Sequence, residues 1–228
     1  YSAAYNLVRI LVKLIQSFWQ ALYPTLSRLR HDAAPRYRIL SDLSLRYGLL
    51  LLLPVAAITT GVAPDLIRLV YTDQYAASTA VLRSLIWIAP LLFVSSFAVT
   101  QLMVQHHPVC SLAVISVNLI AVLLALPPLA ALNGATGAAL ASLLAAAAAT
   151  ATGLLVLHRR RIPTHVDKLA WLLVAALAAA LLASFPPAHW LLRAAIAAIA
   201  YLTFAWLTGA LTPADVTRLR RALLPVNR

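Results

Sequence analysis

Five polar residues recur at three- and four-residue spacing near the start of the chain: Asn6, Arg9, Lys13, Gln16 and Gln20. On a helix advancing about 100° per residue they fall within about 80° of arc. The chemistry open to such a row is recognition, not bond-making. Two cations attract phosphate or carboxylate, and the flanking amides both donate and accept hydrogen bonds. Leu11, Leu14, Ile15, Phe18 and Trp19 cover much of the remaining circumference, so the row sits on a stretch otherwise apolar enough for a membrane helix. A central Arg or Lys in hydrocarbon costs about 2.5 to 3.5 kcal/mol, so the row is expected to face a hydrated cavity or other helices. Two cations at i and i+4 also repel each other, and an anion beside them relieves that repulsion. Arg9 alone fits two readings: a contact with the outer headgroups, as long basic side chains make by snorkelling, or a cavity wall. Lys13 is deeper and fits the second better.

Other candidates are weighed the same way. Arg83, with Ser84 beside it, opens a later apolar stretch and reads either as an interface anchor or as a further substrate contact. Gln101, Gln105 and Asn118 lie in apolar surroundings and suit interhelical hydrogen bonds. His106-His107 and the pair His158 and His165 lack a recognisable ligand spacing, and Cys110 is the only cysteine, so neither a metal site nor a disulfide is expected. No glycine-rich phosphate loop is present. No Asp or Glu lies well inside an apolar stretch; Asp65 and Asp73 fall in one break, and Asp32, Asp42, Asp167 and Asp215 accompany basic segments. Transporters that relay protons place carboxylates in the membrane, so proton/cation antiport finds no support here. No catalytic residue and no cofactor are expected. A membrane enzyme of polysaccharide assembly would need a sizeable outer loop carrying Arg, His or Asp, and the breaks are too short for one.

The elements that position these residues follow from composition. With 63% of 228 residues hydrophobic and 11% charged, the chain reads as an all-α polytopic membrane protein. A bilayer core of about 30 Å needs roughly 20 apolar residues per helix. Seven windows of about that length occur: Ala4 to Leu26, Ser44 to Pro64, Leu82 to Val104, Val109 to Ala131, Gly134 to Leu157, Leu169 to Phe185 and Leu191 to Leu211. They make residues 1–211 one transmembrane region. The net charge of +12 is not a nucleic-acid signature, because it concentrates in every second break: Arg28 to Arg46, Arg159 to Lys168, and the tail with Arg218, Arg220 and Arg221. That alternation is the positive-inside pattern and predicts an outer N-terminus and a cytoplasmic C-terminus. Residues 212–228 read as a cytoplasmic amphipathic helix. Thr212 is its N-cap, and its arginines are available to anionic headgroups. Pro54, Pro90 and Pro127-Pro128 each remove a backbone donor inside a span. Ala138, Ser142, Ala146 and Thr150 form a small-residue row against which another helix can pack closely.

Three stretches read together as a resemblance. "YSAAYNLVRILVKLIQSFWQALYPTLSRL" resembles the helix of bacterial polysaccharide and O-antigen flippases that runs from Tyr-x-x-Ala to Ala-Leu-x-Pro-x-Leu-Ser. "LIRLVYTDQYAASTAVLRSL" is similar to that family's outer turn, and "NGATGAALASLL" to its Gly-x-x-Gly-Ala-Ala helix start. Thr72 and Asp73 stand where the family usually has Gly, and His106-His107 replace a small, Gly-containing turn. The resemblance implies the multidrug, oligosaccharidyl-lipid and polysaccharide exporter superfamily, whose longer members have fourteen helices in two lobes plus a terminal pair. Seven spans would then match the second lobe and that pair, with the first lobe and one further helix preceding Tyr1. The implied substrate is a polyprenyl-diphosphate-linked oligosaccharide, moved across a bacterial inner membrane for surface polysaccharide such as O-antigen. Arg9 and Lys13 would meet the diphosphate, while Asn6, Gln16, Gln20 and Arg83 would contribute further contacts. A drug or lipid II exporter of the same superfamily is the alternative.

Overall fold

In the computed structural model, residues 2–71, 75–162, 174–176, 178–181 and 190–207 are described. Their secondary structure is helical: α1 (Ser2–Asp32), α2 (Ala34–Tyr71), α3 (Ser78–Leu85), α4 (Ile88–Val104), α5 (Pro108–Arg159) and α6 (Trp190–Leu207). The polar segment 27–43 is the junction of two long helices and not a loop. Only Ala33 separates α1 from α2, and its N–H still donates to the Leu29 carbonyl at 2.9 Å.

A turn at Ile86-Trp87 divides α3 from α4, three residues before Pro90. Pro90 cannot donate to the Ile86 carbonyl, and the Ala89 N–H donates to it instead at 3.2 Å. α4 ends in a Schellman motif: the His107 N–H reaches the Leu102 carbonyl and the His106 N–H reaches that of Met103, with His106 at φ 60°. α5 ends the same way through Arg161 at φ 53° and Ile162.

The 52 residues of α5 reverse at Gly134, whose φ of 55° and ψ of −130° leave the helical region. A Cβ on Gly137 would lie 1.8 Å from the Leu129 carbonyl oxygen, so glycine is required where the arms diverge. At the open end the Arg160 Nη2 donates to the Cys110 Sγ at 3.5 Å. The two apolar windows 109–131 and 134–157 are therefore the antiparallel arms of one hairpin.

The core forms where α1, α2, α4 and α5 meet. Trp19 packs against Phe93 and Phe97 with ring centroids 5.0 and 5.6 Å apart, and Phe18 makes an edge contact with Trp19 at 5.1 Å. Small residues bring α5 against α4: a Cβ on Gly153 would stand 2.7 Å from the Ala98 Cβ, and the Thr150 Oγ1 donates to the Leu91 carbonyl at 2.9 Å. The fully packed row runs through Ala139, Ala145, Ala146, Ala149 and Gly153, with Ala138 and Ser142 only half-buried. In the most apolar window of 78–104, 72% of residues are buried, against 11% for α5. α4 is thus the central helix, and α5 presents Leu112, Leu119, Leu123, Leu144 and Leu155 outward, as a lipid-facing surface requires.

Length and composition do not by themselves support an exact count of seven spans. Among the described residues three helices are long and apolar enough to cross a membrane: Ala34–Tyr71, Ser78–Val104 and Pro108–Arg159. α1 has the length but carries the polar row, and two of the expected windows fall within α5. The seventh window is represented by a shorter apolar helix over Trp190–Trp206. The sixth window lies mostly outside the described residues, as does the whole of the tail 212–228.

Candidate functional site: the polar row of α1 and the groove beside it

α1 turns Ala4, Val8, Ile15, Trp19 and Leu26 into the core. These residues centre roughly 130° from the polar row, counting about 100° per residue, so packing one face necessarily displays the other. Asn6, Arg9, Lys13, Gln16 and Gln20 are all exposed. Among the described residues none of the five side chains makes a hydrogen bond or ion pair.

The inner part of the row meets other elements. Gln16 and Gln20 line a groove of about 620 Å³ together with Trp19, Ser95, Ser96 and Thr100 of α4 and Asn118 of α5. Thr100 Oγ1 donates to the Ser96 carbonyl at 2.8 Å and Ser95 Oγ to that of Leu92 at 3.1 Å, which leaves their oxygens able to accept. Trp19 is 4% exposed, and its Nε1 has no acceptor among the described residues. Asn118, expected as an interhelical hydrogen-bonding residue, makes no such bond among the described residues and lines the groove. Asn6, Arg9 and Lys13 continue the row from Gln16 toward the other end of α1, beyond the groove lining.

A second groove, of about 440 Å³, lies on the other flank of α1. Leu11, Leu14 and Phe18 face Gly48, Leu51 and Phe93 across it. A Cβ on Gly48 would stand 1.9 Å from the Phe93 Cζ, so glycine is what lets the Phe93 ring lie on α2.

Arg83 is held apart from both grooves. Its Nε donates to the Thr60 carbonyl at 3.1 Å, and Trp87 Nε1 donates to the Thr60 Oγ1 at 3.1 Å, so these groups tie α2 to α3 and the turn after it. Gln101 does what its sequence context suggested: fully buried, it accepts from the Tyr37 hydroxyl and donates to Ser41, joining α4 to α2. Burial pushes the Tyr37 hydroxyl pKa above its ordinary value of 10.0, and the Arg30 guanidinium lies 5.8 Å from its ring centroid. His106 packs near His31 at 5.9 Å between ring centroids. No group of three or more His, Cys, Asp or Glu converges among the described residues.

Sequence reasoning did not single out Trp19, Ser95, Ser96 or Thr100 as groove residues. Hydroxyls at 95, 96 and 100 interrupt an apolar span at one-turn spacing, which is a weak signal, because such hydroxyls also satisfy themselves on the preceding helical turn.

The arrangement can bind. It offers exposed cations and amides without side-chain partners among the described residues, beside an apolar groove, so it can receive an anion and hydrogen-bonding groups. Residues 1–80, comprising α1 and α2 with the start of α3, match a family described as polysaccharide biosynthesis protein. No curated protein matches the chain, and no solved structure does. The apolar helices and this match fit a membrane protein with a role in polysaccharide biosynthesis.

Proposed function

We propose that the chain forms part of a flippase that carries an anionic polyprenyl-diphosphate-linked oligosaccharide from the cytoplasmic to the outer leaflet of a bacterial inner membrane, for surface polysaccharide such as O-antigen or exopolysaccharide. The observation that carries this reading is the pair Arg9 and Lys13, exposed and without side-chain partners among the described residues, on a helix of a segment that matches a polysaccharide biosynthesis family. A diphosphate between or beside them would form charge-assisted hydrogen bonds and relieve their mutual repulsion. A cationic drug would meet the opposite field, which favours the lipid-diphosphate substrate over drug export. With the basic breaks in the cytoplasm, Tyr1 stands outside, and an inside-negative potential assists outward movement of the anion by about 2.3 kcal/mol per charge per 100 mV. The cavity in this reading needs a second wall, which the first lobe of a two-lobe flippase would supply.

The test is to replace Arg9 and Lys13 together with Gln in the intact protein and to measure surface polysaccharide. Loss of export at normal protein level is expected; normal export removes the assignment.

A further inference from the structure

We propose that the groove between α1, α4 and α5 binds an uncharged, hydroxyl-bearing group and is the saccharide subsite of the ligand whose diphosphate meets Arg9 and Lys13. In naming that ligand it rests on the transport reading above. Three observations carry it. Gln16, Gln20, Ser96 and Asn118 line one groove, and none has a side-chain hydrogen bond among the described residues. Trp19, on the same wall, keeps a buried indole N–H with no acceptor. Among the described residues no charged side chain lines the groove.

Polar groups at membrane depth must find partners, because each unsatisfied one is costly where water is scarce. Amides that both donate and accept, hydroxyls able to accept, and one donor-only indole match sugar hydroxyls, which themselves donate and accept. The absence of charge in the lining selects an uncharged sugar over a uronate, whose carboxylate would be desolvated there without a counter-ion. The geometry also orders the ligand along α1. Gln16 follows Lys13 by three residues, so a sugar bound at Gln16 and Gln20 leaves its phosphate one turn away, at the cations.

The test uses the intact protein in bilayer nanodiscs with three probes: a sugar-free polyprenyl diphosphate, the same lipid bearing a neutral trisaccharide, and a short-chain alkyl glucoside without phosphate. Asn118→Leu and Trp19→Phe, the latter keeping the aromatic packing, are each expected to weaken the sugar-bearing lipid and the glucoside by roughly three- to tenfold, the worth of one hydrogen bond. Sugar-free lipid should bind them as it binds the parent. Thr100→Val is a near-isosteric second variant if Asn118→Leu does not fold, and Asn118→Gln should recover part of the affinity. Unchanged binding of both sugar-bearing probes to Trp19→Phe and Thr100→Val overturns the subsite. Arg9→Gln with Lys13→Gln should weaken both lipids and spare the glucoside. If both lipids bind that variant normally, the transport reading falls, and the glucoside still decides the groove. A water-soluble thiol reagent should label Asn118→Cys in a Cys110→Ser background; failure to label it means that protein fills the groove and overturns the proposal.

Discussion

The two flanks of α1 differ in almost every respect except the core they share. On one side Gln16 and Gln20 face Ser96, Thr100 and Asn118 across a polar-lined groove. On the other, Leu11, Leu14 and Phe18 face Leu51 and Phe93 across an apolar one. Between them Ile15 and Trp19 form the seam that fixes the helix to α4. A single helix can therefore hold two chemically opposed surfaces in register, because its packed face sets the rotation that both flanks inherit. A ligand with a hydrocarbon tail and a hydrated head presents the same division.

The contrast can be broken or sharpened experimentally. The largest effect is expected from removing the charges at the end of the polar flank. Arg9→Gln combined with Lys13→Gln should lower export about a hundredfold, from two charge-assisted hydrogen bonds worth ~1.5 kcal/mol each, measured as surface polysaccharide normalised to protein level. On the apolar flank, Gly48→Ala pushes a methyl into the Phe93 ring. It should destabilise the fold by about 1 to 3 kcal/mol, seen as a lower melting temperature of purified protein, with no change in the salt dependence of ligand binding. A smaller effect of opposite sign is expected at the α4–α5 turn. His106 occupies a left-handed conformation at φ 60°, and His106→Gly should stabilise by ~1 kcal/mol, raising the melting temperature while leaving both grooves unaltered.

The smallest effect concerns the junction of α1 and α2. Burial raises the Tyr37 pKa, so the folded protein favours the neutral hydroxyl that donates to Gln101. Its contribution is complete below the unfolded value near 10.0 and fades as pH rises through the higher folded value. Tyr37→Phe should lower stability by about 1 kcal/mol at neutral pH and flatten the loss of melting temperature on going from about pH 9 to pH 11.

Much of this was legible in the sequence. The row from Asn6 to Gln20 follows from helical angle alone, and the structure leaves all five side chains exposed. The close approach in α5 was legible from its small residues, although the packed line passes through Ala139 and Ala145 and not through Ala138 and Ser142. Other features escaped. Asn118 sits 98 positions beyond Gln20, and nothing local says that α5 folds back at Gly134 and sets it opposite α1. The residue type of His106 does not announce a left-handed turn; only the resemblance, which sets His106-His107 where the family has a Gly-containing turn, pointed to one. The windows 109–131 and 134–157 are the antiparallel arms of one helical hairpin, a pairing that hydropathy alone does not reveal.

The sequence by itself determined the helical class, the membrane character, the lack of Asp and Glu inside the apolar windows and the angular placement of the cations, since each depends on composition or on spacing within one helix. Only the tertiary structure decided which flank of α1 adjoins a polar-lined groove and which an apolar one, that Arg83 ties α2 to α3, and that Gln16, Gln20, Ser96 and Asn118 share a groove. Those outcomes depend on which helices become neighbours. Adjacency is set by small-residue packing of α5 on α4 and by the aromatic cluster of Trp19, Phe93 and Phe97, and these contacts join segments too far apart in the chain for spacing to relate.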